Sequence, residues 1–310
     1  MASKSYPRPG YNSGSLTSVE HERLVHTSLP DGLGGHPNDP APVIADGTGT
    51  RVVKVRAGLV VWLRGSYWES GPTDIALPSL EANTSGSPRI DMVVLRLDRS
   101  TYEIKEHVIT GTPAANPVAP ALTFDTGNTG VYDFPLAEVR VNSGVTALPA
   151  DTVTTRAWHL GEDGQIRCKT STRPPGQVGR SVFDTEVGRW LVHNGTRWLV
   201  AADDSGDLTL PLASGWAAGF NTMRRVNGLV YVGVTIQRKV RAIGTGLVTF
   251  AQLPEGFRPT RPFEGVAFAP SSGECRVVIN TNGVCQVACY GGLAVDKFVN
   301  IHPLVFPAAI

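Results

Sequence analysis

Residues 275–289 read Cys275-Arg276-Val277-Val278-Ile279-Asn280-Thr281-Asn282-Gly283-Val284-Cys285-Gln286-Val287-Ala288-Cys289. Two short runs rich in Val, Ile and Cys flank a polar turn that carries a glycine, which is the pattern of a β-hairpin. Parity sets the register. A three-residue loop over 281–283 pairs Ile279 with Cys285, Val277 with Val287 and Cys275 with Cys289, and gathers all six on one face. A two-residue Asn-Gly loop would put Cys275 and Cys289 on opposite faces and mix polar with apolar residues. A slip of one residue flips every side chain, so the uniform apolar face selects the three-residue loop. In that setting the thiols act as small apolar residues. A cross-strand disulfide or a metal site is the alternative. Cys168 stands alone.

The same texture extends outward. Residues 228–237 alternate Leu229, Tyr231, Gly233 and Thr235 with Val230, Val232, Val234 and Ile236, apolar on one face. Residues 240–250 and 266–269 read as further strands, and 253–259 as a rigid loop between strands. Upstream, Asp91-Met92-Val93-Val94-Leu95-Arg96-Leu97-Asp98 is apolar on both parities in its centre, which marks a core strand. Asp98-Arg99-Ser100 turns into a return strand over 101–109. Residues 111–120 form a Pro-rich crossover, and 131–141 a strand in which Pro135 demotes the first half to an edge or bulge. Between these regions, a break at Pro174-Pro175 precedes a compact stretch, 179–200, with three short strands and turns at 185–188 and Asn194-Gly195. Three short strands carry little core and need neighbours to be stable.

The first 50 residues are irregular. Tyr6 to Ser15 reads as an extended arm, Ser18–Val25 as one short helix with Ser18 as N-cap and His21 and Glu22 in its first turn, and 30–49 as loop. The predicted fold is all-β: an N-terminal arm (1–50), an antiparallel β-sandwich (51–160), a small three-stranded central module (161–202) and a C-terminal β-sandwich head domain (203–310).

Composition narrows the function classes. Charged residues are 18% of the chain, below the roughly 25% of an average soluble domain. A net charge of +1 leaves no broad basic field for nucleic acid or anionic membrane. No apolar run approaches the roughly 20 residues that span a bilayer, and none follows the N-terminus as in a signal peptide. The histidines (21, 26, 36, 107, 159, 193 and 302) make no metal-ligand spacing. His21 between Glu20 and Glu22 resembles a ligand cluster, but on a helix the three point in different directions. Asp203-Asp204-Ser205-Gly206-Asp207 lacks the spacing of a calcium loop and reads as a polar turn. Asp133 with Glu138, or Asp184 with Glu186, are available as glycosidase carboxylates, yet acids on strands are commonplace. Asn83-Thr84-Ser85 and Asn194-Gly195-Thr196 fit a glycosylation pattern and read as turns. The expectation is a non-enzyme with no catalytic residue, cofactor or metal.

The aromatic residues are few but grouped. Trp62, Tyr67 and Trp68 surround one loop, and Trp216 and Phe220 lie in Ala213-Ser214-Gly215-Trp216-Ala217-Ala218-Gly219-Phe220. Exposed rings beside polar groups suit a sugar, whose C–H face stacks on an aromatic ring. Trp216 and Phe220 are therefore the candidate receptor-binding residues. The competing reading makes such rings core or subunit-interface anchors, and it is the favoured one for Trp190 and Trp198.

Three segments resemble tail proteins of tailed bacteriophages. The first comprises Arg8-Pro9-Gly10-Tyr11-Asn12-Ser13-Gly14, Ala45-Asp46-Gly47-Thr48-Gly49, the 89–98 run, Gly111-Thr112-Pro113 and Pro135-Leu136-Ala137-Glu138-Val139. It resembles the virion-attachment domain of minor tail proteins and is distantly similar to upper-baseplate proteins. The second, from Arg173-Pro174-Pro175 to Trp198, is similar to a small module between tail-fibre domains. The third, Leu253-Pro254-Glu255-Gly256-Phe257-Arg258-Pro259 with the hairpin after it, resembles the β-rich head that ends such fibres. The resemblance implies a homotrimer in a virion tail tip or baseplate. Phe183, Trp190 and Trp198 would lie at the trimer interface, and the N-terminal arm would dock on other tail proteins. The C-terminal domain would bind host surface polysaccharide. A purely structural baseplate or collar component is the alternative, and a glycan depolymerase a more distant one.

Overall fold

The computed structural model describes residues 17–308, so the 6–15 arm and the Arg8 to Gly14 motif lie outside the described residues. Strands dominate, with a single α-helix and two short 3-10 turns among the described residues. The chain divides into two compact units: Met1–Pro175 with Val182–Val187, and Gly176–Ser181 with Gly188–Ile310.

In the first unit the helix Ser18–Val25 is capped by Thr17, one residue before the expected Ser18. The spacing explains the difference. Thr17 Oγ1 accepts from the Glu20 N–H (3.3 Å) while the Glu20 carboxylate accepts from the Thr17 N–H (3.1 Å), a reciprocal box that needs an acidic residue three positions after the cap. From Ser18 that position is His21.

The stretch expected as loop over 30–49 carries two strands, Gly32–Gly34 and Val43–Ala45. Gly32–Gly34 pairs parallel with His159–Leu160 and antiparallel with Val60–Leu63. Three residues, two of them glycine, carry no hydrophobic alternation; their pairing comes from partners distant in sequence.

A four-stranded sheet in the order Val153–Thr155, Val131–Val141, Arg89–Asp98, Glu103–Ile109 supplies a core in this unit. Val93, Val94, Leu95, Leu97, Phe134 and Leu136 are fully buried. Pro135 lies at a register shift, where Val93 opposes Ala137 and Val94 opposes Pro135, so the missing N–H falls at a bulge. Phe134 meets Trp158 edge-on at 4.7 Å. Buried charges are paired. Arg89 holds Asp91 through two hydrogen bonds (2.8 and 3.0 Å). Asp91 also accepts from the Gly111 N–H (2.9 Å), at a position where any Cβ would collide with the Ile90 carbonyl. In this unit Gly32–Gly34 runs parallel to His159–Leu160, and Arg167 and Cys168 pair in parallel with Phe183 and Asp184.

The second unit is built on a seven-stranded antiparallel sheet ordered Trp216–Val226, Leu229–Arg238, Phe298–Pro307, Phe263–Ala269, Gly273–Ile279, Val284–Cys289, Val248–Gln252. The segment 204–213 then joins the two outermost strands. Leu208 bridges Met223 on one, and Leu212 bridges Ala251 on the other. Asn221, at the bulge of its strand, completes the join by donating to the Leu210 carbonyl and accepting from the Leu210 N–H, both at 3.0 Å. The result is a nearly closed barrel around Val230, Val232, Val234, Ile236, Phe250 and Phe306.

The hairpin takes the expected register: Ile279 opposes Cys285, Val277 opposes Val287, and Cys275 opposes Cys289. Cys275 and Cys289 are joined as a disulfide, which corrects the reading of all these thiols as small apolar residues. The Tyr290 N–H donates to the Glu274 carbonyl (3.3 Å), so the neighbouring pair 275/289 is a non-hydrogen-bonded pair, whose α-carbons approach most closely. Here they are 4.1 Å apart. Cys168 and Cys285 are free and buried.

In the same unit, Arg189–His193 pairs with Trp198–Asp203, closed by the pair His193 and Trp198. The loop is therefore four residues long, not the two-residue Asn-Gly turn. Asn194 Oδ1 accepts from the N–H groups of Thr196 and Arg197 (both 2.9 Å), so its side chain organises the turn.

Candidate functional site

The outer face of the seven-stranded sheet follows from strand parity. Along Phe263–Ala269, Ala267 and Ala269 point into the barrel, so Val266 and Phe268 point out and are 61% and 51% exposed. Phe268 opposes both Asn300 and Glu274, Asn300 opposes Thr235, and Glu274 accepts the backbone bond from Tyr290. Thr235, Asn300, Phe268, Glu274 and Tyr290 thus form one row across the sheet, with Tyr290 62% exposed. On the same face Tyr231 opposes Val305, and both are exposed. Val266 opposes Arg276, whose guanidinium donates to Glu264 (Nε to Oε2, 3.1 Å). That bond holds the Glu264 carboxyl below its ordinary range.

Phe220 belongs to this face. Pairing shifts between Ala218 and Asn221, and the bulge turns Phe220 outward over Gly233, whose absent Cβ leaves the ring its place. Pro303 borders the same glycine. The face is thus a band of exposed aromatic and aliphatic groups interleaved with amide, hydroxyl and paired charged groups. Contiguous exposed apolar area of this kind marks an interaction surface.

Of the two candidate receptor residues, the structure places only Phe220 on the surface, at 58% exposure. Trp216 is buried, which corrects its reading as an exposed ring. Its Nε1 donates to the Thr249 carbonyl (2.9 Å), its ring meets Phe250 edge-on at 6.4 Å, and the Arg238 guanidinium covers it at 4.9 Å. The Gly/Ala-rich stretch around it is the strand Trp216–Val226, not a loop, and Trp216 opposes Arg238.

Phe183, Trp190 and Trp198 are all half-buried. Phe183 opposes Arg167 in the first unit, whereas in the second Trp190 opposes Ala202 and Trp198 meets His193 edge-on at 5.1 Å. Around the other loop, Trp68 is buried, Trp62 is half-buried, and Tyr67 is exposed, its hydroxyl donating to Glu69 (3.0 Å).

The acids considered above are engaged. Asp133 accepts from Arg96 (2.7 and 3.1 Å), Glu138 from Arg156 (2.7 Å) and Asp184 from Arg173 (2.8 Å). Asp203 is bonded by Arg225 and by the Gly228 N–H (2.7 Å), and Asp204 binds Arg224. Among the described residues no group of three His, Cys, Asp or Glu side chains is placed to hold a metal ion. No described helix is long and apolar enough to cross a membrane.

Phe268, Val266, Tyr290 and Tyr231 are the candidates on this face that the sequence reading did not single out. In Val266-Ala267-Phe268-Ala269 both parities are apolar, and volume points the wrong way because the larger residues face out. The pairing that places them, Ala267 opposite Cys275 on the inner face, lies between strands that the sequence does not join.

No protein-family model matches this chain, and no curated protein matches it. Among solved structures it is similar to the receptor-binding head domain of the lactococcal phage bIL170, at 19% identity and a TM-score of 0.29, over 34% of this chain and 98% of that one.

Proposed function

We propose that this chain is a non-enzymatic receptor-binding protein of a phage tail, which attaches through its N-terminal region and binds host surface glycan through its C-terminal unit. The single observation that carries this reading is the outer face around Phe268, Tyr290, Phe220 and Tyr231, where exposed rings alternate with Asn300, Thr235 and the Glu264–Arg276 pair. Flat rings accept the C–H face of a pyranose, and the neighbouring amide and hydroxyl groups supply directional bonds. The fibre-like segments in the sequence support the same reading. They also support a homotrimer, in which repeated weak sites gain by avidity on a repetitive polymer.

The test is binding of the full-length protein to an array of bacterial cell-wall polysaccharides, alongside a Phe268→Ser/Tyr290→Ala variant. Saturable binding by the parent that the variant loses supports the proposal. No binding to any envelope polysaccharide would overturn it in favour of a structural tail component. Light scattering on the same samples tests the trimer.

A further inference from the structure

Three Asn-Gly pairs lie in turns of the second unit, at 194–195, 227–228 and 282–283. Such a pair is prone to lose its side-chain ammonia. Glycine leaves the amide nitrogen after the asparagine unshielded, and that nitrogen can attack the Asn Cγ and close a five-membered succinimide. The surroundings of the three pairs differ. The Gly283 N–H is taken up by the Asn280 carbonyl (2.8 Å), and the glycine is buried against the Leu253 carbonyl. The Gly228 N–H donates to the Asp203 carboxylate (2.7 Å), which Arg225 already engages. The Gly195 N–H donates to an imidazole, His193 Nδ1, at 3.0 Å.

Around Asn194 the groups that this reaction needs are assembled. An Nδ1 that accepts from Gly195 carries no proton, so a base rests on the N–H of the attacking nitrogen. The ring is held in place. Gly176 packs against it where any Cβ would strike Nε2, and Trp198 meets it edge-on at 5.1 Å. Asn194 Oδ1 accepts from the Thr196 and Arg197 N–H groups, both at 2.9 Å. These bonds fold the carboxamide back over the Asn194–Gly195 peptide. They also place two donors where negative charge develops on that oxygen during the attack. Asn194, Gly195, Thr196 and Arg197 are all exposed, so water reaches the product.

We infer that Asn194 is a self-modifying site with His193 as its general base. His193 Nδ1 takes the proton from the Gly195 nitrogen as that nitrogen bonds to Asn194 Cγ. The charge gathered on Oδ1 is held by the two N–H groups and then returns as the Cγ–Nδ2 bond breaks. The imidazolium gives its proton to the departing nitrogen, which leaves as ammonia. Water then opens the succinimide to aspartate or isoaspartate, so one water is taken up for each ammonia released. The experiment is incubation of the full-length protein at neutral pH, folded and in urea, with peptide mapping by mass spectrometry at all three Asn-Gly pairs. In the folded protein, conversion at Asn194 should be about tenfold or more faster than at Asn227 and Asn282, and faster than at Asn194 in urea, where the three sites should react alike. His193→Gln keeps a hydrogen-bond acceptor but not a base, and should cut that advantage about fivefold or more. The comparison of folded with unfolded parent needs no variant, so it decides the matter if His193→Gln does not fold. Conversion at Asn194 no faster in the folded protein than in urea, or an undiminished advantage in folded His193→Gln, would overturn the inference.

Discussion

Glu22 and Arg99 form a buried, bidentate pair across 77 residues of sequence: Nε to Oε2 at 2.9 Å and Nη2 to Oε1 at 2.8 Å. The pair ties the helix Ser18–Val25 to the turn that follows Arg89–Asp98. Arg64 joins it at 2.8 Å. Arg64 adopts φ +53 in the turn before Gly65, a conformation unfavourable to any side chain. Its N–H donates to Asp31 (2.7 Å), so the strained backbone is held by the same cluster.

Removing the carboxylate should therefore be costly. Glu22→Ala leaves two buried guanidinium groups without their partner, and loss of one member of such a group typically costs about 3–5 kcal/mol. Chemical denaturation of the full chain should show that loss in its first unit, with Glu22→Asp less affected than Glu22→Ala.

The same cluster predicts a pH dependence. Burial by itself raises the Glu22 carboxyl, but the hydrogen bonds from Arg99 and Arg64 outweigh it and hold the group below its ordinary value of 4.5. A lowered folded-state value means that the contribution is fully present above about pH 4.5 and is lost as the pH falls through the folded-state value. Thermal melts between pH 7 and pH 3 should show Tm falling below pH 4.5. The fall should be shallower in Glu22→Gln.

The cysteines separate into two kinds. Closing a loop of this length by a disulfide is worth about 3 kcal/mol in the chain-entropy account, so the Cys275→Ala/Cys289→Ala variant should unfold at lower urea concentration. Cys168 and Cys285 are buried, and burial pushes both thiols up to about 12. Little thiolate forms at neutral pH. A thiol reagent should modify neither in the native protein and both after unfolding.

Trp216 and Phe220, four positions apart, should respond in opposite ways. Trp216→Ala removes a core ring and its bond to Thr249, a change that typically costs about 3–5 kcal/mol. Phe220→Ala should stay within about 0.5 kcal/mol of the parent and register only in glycan binding. A midpoint shift in Phe220→Ala as large as that in Trp216→Ala would show that the bulge places its ring differently.

The contrast between these two rings shows what the sequence could convey. Where a face is uniformly apolar, as in the 275–289 hairpin, parity alone fixes register, and Cys275 opposite Cys289 was readable before any coordinates. The long strands Arg89–Asp98 and Val131–Val141 were readable from their continuous apolar runs. Trp216 was not, because its burial depends on Arg238 and Thr249, residues 22 and 33 positions away, and its glycine- and alanine-rich surroundings resemble a loop. Phe268 was hidden by the small inward alanines beside it. Gly32–Gly34 was hidden because a three-residue strand has no period to detect.

The segment 204–213, which bridges the two outermost strands of the seven-stranded sheet, has a consequence at high local concentration. Strand-by-strand zipping from one molecule to the next requires a free row of backbone groups, and this segment occupies both such rows in part, at Met223 and at Ala251. Copies brought close together are hindered from fusing into an endless ribbon, and contact between them is left to side chains.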